Sequence, residues 1–110
     1  MAMITDDQIL EEIKGIISAN RVTLFMKGTP DMPRCGFSAR VVEQLGHEDV
    51  PFAAVDVLVD PRIRQVLSGY SNWPTIPQLF VDGQLVGGCD IVEELAESGD
   101  LAKVLAGSES

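Results

Sequence analysis

The sequence predicts an α/β fold: one mixed four-stranded sheet flanked by helices on both faces. Three observations predict it. Segments with helical apolar spacing alternate with short apolar runs of strand type along the 110 residues. The first two runs enclose a helical segment, which implies a right-handed parallel crossover. The last two runs are separated only by Asp82-Gly83, a strong two-residue hairpin signal that makes them antiparallel.

Each element has its own signal. Thr5 followed by Gln8 fits a capping box, and Asp6 and Asp7 suit a helix N-terminus. Ile9, Ile13, Ile16 and Ile17 then share one face, so a helix is predicted over 6–19. Residues 22–26 read as a strand, and 27–34, with a glycine and two prolines, as a loop. A helix over 35–45 follows, with Val41, Val42 and Leu45 on one side and Gly46 as its stop. Residues 52–58 read as the second strand. Asp60-Pro61 is an N-cap followed by proline in the first turn, and that helix runs to Gly69. Residues 70–77 form a loop rich in breakers, and the hairpin strands cover 78–81 and 84–86. After Gly87-Gly88, Asp90 is expected to cap a helix over 91–98, with Gly99 as its end and Asp100 starting a last short helix. Residues 107–110 read as a frayed tail on a single domain spanning 1–110.

Composition narrows the function. Eight Lys and Arg against seventeen Asp and Glu give a net charge of −9, which disfavours binding to nucleic acid. No run of about 18 apolar residues is present to span a bilayer. The N-terminus shows neither a cationic region nor an apolar stretch, so no signal peptide is expected. Two cysteines are too few for a disulfide scaffold, and a reducing compartment is the expectation. A bacterial cytoplasm fits, and so does a processed organellar protein.

Cys35 carries the chemistry. It follows the Pro/Gly loop and opens a helix, whose first amides are unpaired and whose end carries about half a positive charge. That favours a thiolate by about 0.5–1 kcal/mol. Lys27 adds to it, since a cation at about 4 Å contributes at most about 4 kcal/mol at intermediate dielectric. Together they bring a thiol of ordinary pKa about 8.5 toward neutrality. A buried structural cysteine is the competing reading, and the loop-to-helix position argues against it. In Cys35-Gly36-Phe37-Ser38, serine stands where a resolving cysteine would complete a Cys-x-x-Cys pair. Internal dithiol exchange at the motif is therefore unavailable. Exchange with an external thiol, or use of the thiolate as a metal ligand, remains.

Five motifs occur in order: Met26-Lys27-Gly28, Cys35-Gly36-Phe37-Ser38, Ile63-Arg64, Trp73-Pro74-Thr75-Ile76-Pro77-Gln78 and Gly87-Gly88-Cys89-Asp90. With them the sequence resembles the single-domain monothiol glutaredoxins of the Cys-Gly-Phe-Ser type over residues 9–105. The resemblance implies a thioredoxin-like fold and a glutathione site. In that site Cys35 is the active thiol and iron ligand, and Lys27 and Arg64 hold the glycine carboxylate of glutathione. Ile76 pairs with the cysteinyl part beside a cis Pro77, and Cys89 and Asp90 hold the γ-glutamyl end. Gly36, Phe37 and Thr75 complete the implied contact set. One departure stands out: Ser68 and Gly69 occupy the place where many family members carry a lysine.

A [2Fe–2S] cluster takes four ligands, usually thiolates. One chain offers two cysteines, so two chains are needed. Either Cys35 and Cys89 of each chain bind, or two Cys35 bind together with two glutathione thiolates. The second is preferred, because Cys89 falls in the segment expected to grip glutathione, and the resemblance implies the same. It also implies a cluster-bridged homodimer, delivery to iron–sulfur acceptor apoproteins, and pairing with BolA-like proteins. The rival is an enzyme, a glutathione-dependent thiol–disulfide oxidoreductase working through Cys35 alone. Ser38 and the loop over 29–33 resemble the cluster-binding class. A third possibility is a Cys35–Cys89 disulfide, which needs Cα atoms within about 7 Å.

Overall fold

The computed structural model describes residues 4–107, so 108–110 of the expected tail lie outside the described residues. Thr5 Oγ1 accepts from the Gln8 amide at 3.2 Å, and Gln8 Oε1 accepts from the Thr5 amide at 2.8 Å. This closed capping box starts α1 (Asp6–Ala19), which buries Ile9, Ile13 and Ile17. Ile16, expected on the same face, is only half-buried.

The sheet is built from β1 (Val22–Met26), β2 (Ala53–Asp56), β3 (Gln78–Val81) and β4 (Gln84–Gly87). Its order is β2-β1-β3-β4, with β1 parallel to β2 and the other neighbours antiparallel. β1 is buried throughout because it is central and covered on both faces. Its alternate residues divide between two cores. Val22, Leu24 and Met26 pack with residues of α2 (Gly36–Glu48), α4 (Cys89–Ser98) and α5 (Leu101–Ala106). Phe25 packs on the other face with α1 and with Leu67 of α3 (Pro61–Ser71), its ring edge-on to Phe80 at 5.7 Å. This is the expected mixed sheet with helices on both faces.

Four boundaries differ from the sequence expectation. α2 passes through Gly46, around which a side chain would find open space, and ends at Asp49, whose φ of 56° breaks the helix. The second strand stops at Asp56, whose carboxylate accepts the Leu58 amide at 2.9 Å and turns Val57–Val59 into a single 3-10 turn. α3 continues past Gly69 to Ser71 and stops at Asn72, with φ of 58°. Gly88, rather than Asp90, is the N-cap of α4, and Asp90 lies inside its first turn.

The register sets up the site. Met26 pairs with Asp56 and Phe25 with Gln78, so the segments leaving β1 and β2 and entering β3 meet at one edge of the sheet.

Candidate functional site

At that edge a cavity of about 430 Å³ opens between the N-termini of α2 and α4. Lys27 comes from the end of β1, Cys35 and Phe37 from the start of α2, and Arg64 from α3. Thr75, Ile76 and Pro77 border it from the segment before β3, and Cys89 and Asp90 from α4. Nine of the ten residues singled out from sequence thus meet on one wall. Gly36 is the exception: it is exposed in the first turn of α2 and does not border the cavity.

Cys35 is the N-cap of α2, with extended backbone at φ −151° and ψ 136°. The thiol makes no cap hydrogen bond of ordinary geometry. The Ser38 amide nevertheless lowers its pKa most, and the Phe37 amide, the Lys27 charge and the Ser38 hydroxyl lower it further. Partial burial works against them, and the net direction is down from the ordinary thiol value. This is the expected activation, with the amides ahead of the lysine. Ser38 is fully buried, and its Oγ accepts the Lys27 amide at 3.1 Å, which ties α2 to the end of β1.

The segment before β3 is held from inside. The Ile76–Pro77 peptide is cis. Buried Gln78 donates from its side-chain amide to the carbonyls of Trp73 at 3.0 Å and Thr75 at 3.1 Å. Thr75 is left exposed at the rim, while Ile76 and Pro77 form the floor.

Trp73, Gly88 and Ile91 also line the cavity, and sequence reasoning gave them no site role. The Trp73 indole N–H is buried against Gly88 without an acceptor among the described residues. A Cβ on Gly88 would lie 3.2 Å from the Pro77 carbonyl oxygen and 3.3 Å from Trp73 Nε1. The paired glycines before α4 were the available signal for this close approach.

Charge is unevenly spent. Lys14, Arg21, Arg40, Arg62 and Lys103 each have a carboxylate within 4.0 Å. Among the described residues Lys27, Arg34 and Arg64 have none, and two of these three line the cavity. Arg62 is bound to Asp60 at 2.9 Å.

Cys89 contrasts with Cys35. It is 7% exposed, and burial, Glu93 and Asp90 push its pKa up against the opposing effect of Arg40. Arg40 stands 3.9 Å from Glu93, with its guanidinium 5.7 Å from the centre of the exposed Phe37 ring. Both cysteines are free thiols.

Among the described residues no helix is long and apolar enough to cross a membrane. The glutaredoxin family profile matches residues 22–86. Glutaredoxin 4 of Pasteurella multocida is 54% identical over 99 residues, covering 90% of this chain and 91% of that protein. Monothiol glutaredoxin-S17 of Arabidopsis thaliana is 52% identical over 104 residues, 94% of this chain, but the chain spans only 21% of that protein's length. Among solved structures, reduced poplar apo GrxS14 superposes with a TM-score of 0.78 at 44% identity, covering 87% of this chain and 88% of that one. A buckwheat glutaredoxin–glutathione complex superposes at 0.81 with 22% identity, covering 92% and 90%, a likeness of fold. Fold, motif order and relatives agree: the chain belongs to the glutaredoxin family, on its monothiol branch, and has the thioredoxin-like fold.

Proposed function

We propose that this protein carries [2Fe–2S] clusters, binding one between two copies of itself and passing it to iron–sulfur acceptor apoproteins. One observation carries the reading. A single activated thiol, Cys35, stands at a cavity bordered by two cations that have no carboxylate partner among the described residues, and a buried serine fills the place of a second thiol. Lys27 and Arg64 suit the glycine carboxylate of glutathione, and Asp90 suits its α-ammonium group. Glutathione seated there would hold its own sulfur beside Cys35. Two such pairs supply the four thiolates that a cluster requires. Cys89, buried and with its pKa raised, is poorly suited to be a fifth donor or a substitute. A ligand set half made of a dissociable small molecule suits a carrier. BolA-like proteins would complete the same open position with ligands of their own. A reducing compartment such as the bacterial cytoplasm keeps both components in the required thiol form.

Deglutathionylation is the second reading, and the lowered pKa of Cys35 favours it. The Cys35 thiolate would attack the glutathione sulfur of a protein mixed disulfide and release the protein thiolate. A second glutathione thiolate would then attack that same sulfur, releasing oxidised glutathione and the Cys35 thiolate.

Anaerobic reconstitution with iron, sulfide and glutathione separates the two. The carrier reading expects a dimer holding one cluster and two glutathiones. Assembly is lost in Cys35→Ser and retained in Cys89→Ser. A glutathione-free cluster that disappears in Cys89→Ser overturns the ligand assignment. No cluster, with rapid reduction of a glutathionylated peptide, supports the enzyme.

A further inference from the structure

The residues from Lys27 to Arg34 form a small hairpin that carries two of the three cations without a carboxylate partner among the described residues, and Lys27 of these borders the cavity. It closes on itself. The Arg34 amide donates to the Lys27 carbonyl at 2.8 Å, and the Met32 amide donates to the Thr29 carbonyl at 3.0 Å. Gly28 bridges to Pro33. The inside is crowded: a Cβ on Gly28 would lie 2.5 Å from the Met32 carbonyl oxygen, and Gly28 has φ of 89°. Glycine is required there.

The hairpin has two polar ties to the rest of the molecule among the described residues. One is the Lys27 amide on Ser38 Oγ at 3.1 Å. The other is the buried Gly28 amide, which donates to Asp56 Oδ1 at 2.9 Å. The same oxygen accepts the Leu58 amide at 2.9 Å, so Asp56 fastens the hairpin to the turn that ends β2. An orphaned buried amide is costly, so the acceptor that Asp56 supplies to Gly28 matters. Asp56 is not within ion-pair distance of Lys27 Nζ, so it leaves the lysine's charge free for a ligand.

We propose that Asp56 is a positioning residue for the anion site: its carboxylate anchors the Gly28 amide and thereby fixes Lys27 at the cavity. It acts through an acceptor atom, and its own negative charge is incidental or mildly adverse to an anionic ligand. The inference rests on the reading that Lys27 holds a glutathione carboxylate.

Asparagine keeps a side-chain oxygen acceptor and removes the charge, while alanine removes both. Binding of reduced glutathione to the full-length apo protein, followed by amide chemical shifts, separates the possibilities. Asp56→Ala is expected to bind about fivefold more weakly and to lose hydrogen-exchange protection at Gly28. Asp56→Asn should restore both. In a Lys27→Gln background, Asp56→Ala should cost little more, because the two act on one contact. Wild-type affinity in Asp56→Ala overturns the proposal, as does equal weakening in Asp56→Ala and Asp56→Asn. If Asp56→Ala does not fold, weakened binding in Asp56→Asn with Gly28 protection intact overturns it, and unchanged or tighter binding supports it. Wild-type affinity in Lys27→Gln alone instead overturns the reading of Lys27, and the inference with it.

Discussion

The N-termini of α2 and α4 each bring a cysteine to the same cavity, yet the two thiols are set in opposite directions. The difference begins with one residue of register. Cys35 is the N-cap, so Phe37 and Ser38 stand at the second and third helical positions, where free amides serve a cap side chain. Cys89 is the first helical residue, behind Gly88 as cap, and the amides are not what acts on its sulfur. The neighbours then widen the gap. Lys27 faces Cys35, while Glu93 and Asp90 oppose ionisation of Cys89 with only Arg40 to offset them. A helix N-terminus does not by itself activate a cysteine. Cap position, burial and the nearest charges decide.

This contrast can be broken by moving each contribution separately. Lys27→Gln should have the largest effect: glutathione affinity falls about tenfold, the loss of about 1.4 kcal/mol expected for a charge-assisted contact. The Cys35 pKa rises as well, while that of Cys89 is unchanged. Titration calorimetry and the thiolate absorbance read the two effects. Ser38→Ala should raise the Cys35 pKa by less than Lys27→Gln does, because the amide of residue 38 persists and its hydroxyl is the weakest of the causes. An equal or larger rise would show that the hydroxyl outweighs the Lys27 charge at the thiol. Glu93→Gln should lower the Cys89 pKa modestly, since burial, the larger cause, remains. Mass-spectrometric alkylation of Cys89 would then begin at lower pH, and no change would assign its inertness to burial alone.

Much of this was legible in the sequence. Residues 22–26 and 78–81, the Asp82-Gly83 hairpin and the Thr5 capping box are dictated by short-range pattern and turn chemistry, and they stand as read. That nine of the ten candidate residues border one cavity was legible from five motifs standing in the order the resemblance implies. Three of the differing boundaries turn on glycines, and the fourth, the end of β2, on the Asp56 carboxylate that caps the 3-10 turn. Gly46 and Gly69 lie in solvent-facing helix interiors, and the real stops are Asp49 and Asn72 in left-handed conformations. Gly88 is the cap of α4, and a Cβ there would crowd Trp73 Nε1 and the Pro77 carbonyl oxygen. The paired glycines signal a close approach there, but no local pattern names residues 73 and 77 as its partners.

The central claim is that each chain offers one reactive thiol. The most direct test is the pH dependence of iodoacetamide alkylation of the folded apo protein, comparing wild type with Cys35→Ser and Cys89→Ser. The thiolate fraction of Cys35 grows as pH rises through its lowered pKa, so its rate should level off below the ordinary thiol value. That profile should persist in Cys89→Ser and vanish in Cys35→Ser, with Cys89 staying unmodified at neutral pH. Alkylation of Cys89 at a rate matching Cys35, or a Cys35 profile centred at or above the ordinary thiol value, would contradict the account.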